Sequence, residues 1–201
     1  NEATANLQPA ALKIAVDEAN GKIAYNAYAE KLYDKRCGVI QAIATGGSDK
    51  NKTIATLVNY AIHPEVIGSE RGILTPDMAG PLYDRIESEL GGIAVFMTGA
   101  IGGMVTADNR RENGKEANDW QECIRIGTTL ADEAIRILQD APIQESPGLL
   151  CVAEKIQFSI ESPMMRYIFD KSPLNYNLNA EYNVSTILNL VNIGSAQILT
   201  I

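Results

Sequence analysis

The chain has 201 residues, 46% hydrophobic and 21% charged, enough for one sizeable core. Seventeen basic against twenty-five acidic residues give a net charge of −8 with no Lys/Arg cluster, which excludes nucleic acid and anionic membrane surfaces as expected partners. No apolar run approaches the roughly 20 residues of a transmembrane helix, and the widely spaced Cys37, Cys123 and Cys151 form no metal-ligand pair and read as buried thiols.

The chain opens on Asn rather than Met, and its first seven residues have neither the basic nor the apolar part of a signal peptide. Within residues 9–19, Leu12, Val16 and Ala19 recur at helical spacing, with Pro9 suited to a first turn and Gly21 to a cap, which predicts a short helix. Residues 38–44 and 52–62 are apolar and β-branched and flank the turn-prone Gly46-Gly47-Ser48-Asp49, which predicts a hairpin. His63 follows at the end of its second strand.

Beyond a loop, Met78, Leu82, Ile86 and Leu90 stand four apart before Gly91-Gly92, the pattern of a helix with a glycine stop. Asp77 falls at or just before its N-terminus, where a carboxylate caps free amides. Residues 93–97 have the composition of a buried strand. Strand, helix and strand over residues 53–97 predict a βαβ unit with a parallel pair. A glycine-rich loop follows, Thr98-Gly99-Ala100-Ile101-Gly102-Gly103-Met104-Val105-Thr106, then a polar loop and a long helix with Trp120, Ile124, Gly127, Ala131, Ile135 and Leu138 as its buried stripe. Residues 149–158 read as a strand, 162–182 as a long loop without period, and 184–201 as two strands joined at Gly194-Ser195. The expected fold is α/β, a mixed, partly parallel sheet with flanking helices. Residues 1–201 are expected to form a single α/β domain. The final apolar run stops in mid-course, so the domain is expected to be an incomplete part of a larger one.

Ligands of open α/β sheets bind outside the carboxyl ends of the strands. That rule brings His63 and the glycine loop together, and the loop's amides suit an anion or a developing oxyanion. The chain carries no Gly-x-Ser-x-Gly elbow, Walker loop or dinucleotide fingerprint. With one histidine and no cysteine cluster, a zinc site confined to it would need carboxylates or tyrosines as the other ligands.

Three blocks carry a resemblance. Asn59-Tyr60-Ala61-Ile62-His63-Pro64, Leu74-Thr75-Pro76-Asp77-Met78-Ala79-Gly80 and Phe96-Met97-Thr98-Gly99-Ala100-Ile101-Gly102-Gly103-Met104 are similar, in order and spacing, to blocks of the neutral/alkaline, non-lysosomal ceramidases and their bacterial relatives. The resemblance implies a secreted or periplasmic zinc-dependent amidase that cleaves the N-acyl bond of a sphingolipid-like substrate. It makes His63 a zinc ligand and leaves the family's second histidine, its glutamate and its tyrosine outside residues 1–201. In that family the glycine loop continues into asparagine, methionine and a serine important for activity, where this chain has Gly103, Met104 and Val105. Thr106 is the adjacent hydroxyl. Gly99, Gly102, Gly103 and Met104 are therefore the expected substrate and oxyanion loop, and Thr106 and Asp77 the candidate catalytic side chains. The competing readings are a relative that kept the scaffold without catalysis and a metal-dependent hydrolase of a non-amide ester.

Overall fold

Between residues 36 and 60 the buried side chains alternate, Cys37, Val39 and Gln41 on one segment and Thr56, Val58 and Tyr60 on the next, as in strands with one face in a core. The computed structural model describes residues 2–174 and 181–200. It divides the chain into two compact units, residues 1–147 and 148–201. The first unit contains α1 (Glu2–Ala5), β1 (Ala10–Glu18), β2 (Ala24–Asn26), β3 (Arg36–Ala44), β4 (Thr53–Tyr60), α2 (Ala79–Leu90), β5 (Ile93–Thr98), β6 (Val105–Ala107), α3 (Trp120–Leu138) and β7 (Ile143–Gln144).

Five of its strands form a mixed sheet in the order β5-β4-β3-β1-β7. β4 and β5 run parallel, in register from Ala55↔Ile93 to Tyr60↔Thr98, and α2 links them as the expected βαβ unit. The other pairs are antiparallel, including the expected β3–β4 hairpin. β1 corrects the helix expected over residues 9–19. Leu12 and Val16 fit helical spacing, but Leu12, Ile14 and Val16 also alternate, and β1 pairs along the whole of β3, from Ala10↔Ala44 to Glu18↔Arg36, and with β7 at Leu12 and Lys13, so partner strands rather than local spacing decide its conformation.

α2 and α3 pack on each other and on the sheet, burying Leu82 and Ile86 from α2 with Cys123, Ile126, Leu130 and Ala134 from α3 against Cys37, Val39, Val58 and Tyr60. The stripe of α3 is therefore rotated from the expected one. Gly127, Ala131 and Leu138 are buried as read, whereas Trp120 and Ile124 are exposed and Ile135 only half-buried. Gly127 sets the helix pair, because a Cβ there would collide with the Met78 carbonyl oxygen. The closeness of the helices at that point turns Cys123 and Ile126, rather than Ile124, toward the core.

The second unit is a three-stranded antiparallel sheet, β10 (Ala196–Thr200), β9 (Asn183–Ile193) and β8 (Leu149–Ser159) in that order. The tight turn falls at Gly194-Ser195, between paired Ile193 and Ala196. Part of the loop expected over 162–182 is instead helix α4 (Pro163–Lys171). Ser162 caps it by accepting from the Met165 amide, and Pro163 enters its first turn, a local start signal that outweighs the weak periodicity. Residues 175–180 of that loop lie outside the described residues. No helix among those described is long and apolar enough to cross a membrane.

Cys37 and Cys123 are buried, whereas Cys151, on β8, is exposed, which corrects the expectation of three buried thiols. Burial pushes the Cys37 and Cys123 thiols up to about 12, so neither offers a thiolate near pH 8. Ellman's reagent at pH 8 is expected to titrate one thiol rapidly in the folded chain and all three after denaturation. A second rapid native thiol would contradict this burial.

Candidate functional site

The carboxyl ends of β4 and β5 are stitched together just where the chain leaves the sheet. The Gly99 amide donates to the Tyr60 carbonyl at 2.9 Å, and the Thr98 hydroxyl donates to the Ile62 carbonyl at 2.7 Å. The two backbones approach so closely that a Cβ at residue 99 would lie 3.1 Å from the Ala61 nitrogen, which is what a glycine permits. Ala61 and Ile62 are buried, and His63 emerges half-buried beyond them.

His63 makes two bonds to one atom. Its backbone amide donates to the Val105 carbonyl oxygen at 3.2 Å, and its ring Nδ1 lies 2.6 Å from the same oxygen. A carbonyl oxygen only accepts, so Nδ1 carries the proton. The neutral ring then keeps its lone pair on Nε2, the form required of a metal ligand or a base. This acceptor is the orienting partner that sequence could not name. Val105 belongs to β6, which pairs with β2 from Ala24↔Ala107 to Asn26↔Val105. The following residues fasten that short ladder. The Asp108 amide donates to Ile23, its carboxylate takes Arg110 Nε and Nη2 at 2.9 Å each, and the Arg110 guanidinium lies 3.8 Å from the Tyr25 ring centroid.

The glycine loop joins β5 to β6. Among the described residues the amides of Ala100, Ile101, Gly102 and Gly103 have no hydrogen-bond acceptor, so they are donors available to a bound group. Met104 closes the loop at φ +64°, a region costly for an unbranched side chain. It is held there by its amide on the Ile101 carbonyl and by the Ala27 amide on its own carbonyl, both 3.0 Å. Two residues on, the Thr106 hydroxyl donates to Glu65 Oε1 at 2.7 Å. Glu65 was not among the expected site residues. Its position two after His63 was the available signal, but its partner is 41 residues away.

Asp77 lies where expected, just before α2, but its side chain does something else. The N-cap position is Met78, with no side-chain capping bond. The buried Asp77 carboxylate instead accepts from Val66 at 3.0 Å, Ile67 at 2.9 Å and Met78 at 2.7 Å. It ties the segment after His63 to the start of α2, from a backbone at φ +54° that Asp tolerates better than most residues. Removing it strands three buried amides, each worth about 1–3 kcal/mol, where an ordinary cap costs about 1 kcal/mol. Urea melts should show Asp77→Ala and Asp77→Gly both destabilised by that larger amount. Near-wild-type stability for Asp77→Gly would mean that backbone conformation, not the carboxylate, is what matters.

Among the described residues no three His, Cys, Asp or Glu side chains gather as a metal-binding group; the Nε2 donor of His63 is of the kind that zinc accepts. An open hollow of about 590 Å³ lies among Lys22, Arg110, Arg111 and Glu122 and includes neither His63 nor the glycine loop. Its cations are committed, Lys22 and Arg110 to Asp108 and Arg111 to Asp119.

By sequence the chain matches no protein-family model and no curated protein. By structure it is similar to the neutral ceramidase of Pseudomonas aeruginosa, with a TM-score of 0.71 at 13% identity, over 98% of this chain and 40% of that one. It is also similar to a ceramidase complexed with C2, with a TM-score of 0.68 at 12% identity, over 98% of this chain and 42% of that one. The chain thus spans about two fifths of each of these structures. At such identities the likeness is one of fold, and over nearly its whole length this chain has the fold of part of a neutral ceramidase, the family that its motif blocks resemble.

Proposed function

We propose that the chain is part of a ceramidase-like, zinc-dependent hydrolase that cleaves an N-acyl amide bond in a lipid-like substrate, with His63 as one zinc ligand. The observation that carries this reading is the bond between His63 Nδ1 and the Val105 carbonyl, which leaves Nε2 ready to ligate at the carboxyl end of a parallel strand pair. The remaining ligands are assigned to segments outside residues 1–201. Zinc at such a site supplies Lewis acidity, activating water and polarising the acyl carbonyl.

The chain's own residues do the rest. His63 holds its ring in one tautomer. The unpaired amides of Ala100 to Gly103 offer donors to the acyl oxygen as charge develops on it, and Thr106, whose hydroxyl donates to Glu65, is the next side-chain hydroxyl along the chain. The buried Asp77 carboxylate acts at one remove, by fixing the segment that follows His63.

In the intact protein His63→Ala is expected to lose both zinc and turnover on an N-acyl substrate. Stability should fall by only about 1 kcal/mol, the net worth of one ordinary hydrogen bond. Metal analysis, thermal unfolding and an N-acyl hydrolysis assay on the same preparations check this. Retained zinc and retained turnover with a large loss of stability would make His63 a structural residue and overturn the proposal.

A further inference from the structure

We infer that the bare face of the five-stranded sheet is a docking surface for a further layer of the same polypeptide, contributed from outside residues 1–201. α2 and α3 cover one side of this sheet, where Val39, Gln41, Thr56 and Val58 are buried. Side chains alternate along a strand, so the residues between these share the opposite face. Their register places Val95, Leu57, Ile40 and Ile14 in one row across four strands. The rows on either side of it, through Ala55 and Asn59, add one polar side chain, that of Asn59, and no charge. Asn59 is itself occupied, donating from Nδ2 to the Met97 carbonyl at 2.9 Å.

A sheet with one face in water carries polar residues on that face. Here the order is reversed, because Lys13, Gln41 and Thr56 lie on the helix side, with Lys13 Nζ donating to the Leu138 carbonyl at the end of α3 at 3.1 Å. The bare face is the more apolar of the two, yet Val16, Ile93 and Val95 on it are 63%, 65% and 42% exposed. Polar groups mark where it stops, with Glu18 opposite Arg36 in the row beyond Val16 and Gln144 opposite Leu12. An apolar patch inside a polar rim is the anatomy of an interface.

Three rows about 7 Å apart on four strands about 4.8 Å apart cover roughly 400 Å². That is well short of the roughly 800 Å² that each partner gives to a stable complex between separate chains, so a second copy would gain too little to offset the freedom lost on association. A layer of the same polypeptide is already tethered and loses much less. The ceramidase fold has such polypeptide to supply, since this chain spans only 40% and 42% of the two structures it resembles. The three rows hold no Lys or Arg to meet lipid headgroups.

Single Val16→Cys, Val95→Cys and Lys50→Cys variants of the intact polypeptide test this, the last as a reference in the exposed turn between β3 and β4. Maleimide labelling is followed by mass spectrometry of each cysteine peptide, at several protein concentrations, with and without phosphatidylcholine vesicles. Val16→Cys and Val95→Cys are expected to react about 100-fold more slowly than Lys50→Cys, in the monomer and without lipid. A difference of less than about tenfold would overturn the inference, as would protection lost when a dimer dissociates on dilution or gained only with vesicles. Should a variant not fold, hydroxyl-radical footprinting of the unsubstituted protein reads the same face. Oxidation of Val16 and Val95 within about tenfold of their rates in urea would equally overturn the inference. Zinc and turnover enter neither readout, so the hydrolase reading can fail while this one stands.

Discussion

One backbone oxygen governs the chemistry of this site. The Val105 carbonyl accepts from the His63 amide and from His63 Nδ1, so its two lone pairs fix both where the residue's backbone sits and which ring nitrogen carries the proton. Everything that locates Val105 therefore acts on His63. β6 is only three residues long and would be a weak element alone. It is held by β2 on one side and, through the Asp108 carbonyl, by Arg125 of α3 at 2.8 Å. The long helix thus reaches the imidazole through two short links, a guanidinium and a strand.

A second chain of support arrives from the other side. Asp77 gathers the Val66 and Ile67 amides, and its own place is set where α2 begins. That beginning is fixed in turn by Gly127, whose missing side chain lets α3 lie against the Met78 carbonyl. A larger residue at 127 would push α2 away and carry Asp77 with it. The packing of the helices and the orientation of the site are consequently one problem, since interiors this close-packed transmit displacements rather than absorb them.

Against this arrangement, what could be read from the sequence divides along a physical line. β4 and α2 were legible because each is a run whose period is set by its own burial, with glycines closing the helix; β5 was legible in place but not as the buried strand expected, since it lies at the sheet edge with only Ala94 buried. β1 was not, since Leu12 and Val16 satisfy a helical and an alternating spacing at once, and the choice is made by β3, which begins 18 residues beyond Glu18. α3 was legible in extent but not in rotation, because Ile124 and Ile126 are equally apolar and only the contact at Gly127 decides which turns inward. At the site, His63 and the glycine loop could be expected to converge from the strand-end rule. The partner of His63 could not, since a carbonyl 42 residues away is common to every residue type. Asp77 was legible in place and misread in role, because an acidic residue before a helix looks alike whether it caps that helix or ties down a distant loop.

The internal bond to His63 also bears on what a metal would gain from this scaffold. A free imidazole ligand must give up side-chain rotation and select one tautomer when it binds, and both losses subtract from affinity. Here the carbonyl has already imposed both, so under the proposed function that part of the ordering cost is met when the chain folds. The same logic extends to Thr106, whose hydroxyl proton is committed to Glu65, and to the glycine loop, whose amides from Ala100 to Gly103 have no acceptor among the described residues. Each group is committed in the one respect that would otherwise have to be settled on binding. The unfavourable backbone at Met104 and the buried carboxylate at Asp77 are the corresponding costs to stability, located where rigidity rather than stability is the useful property.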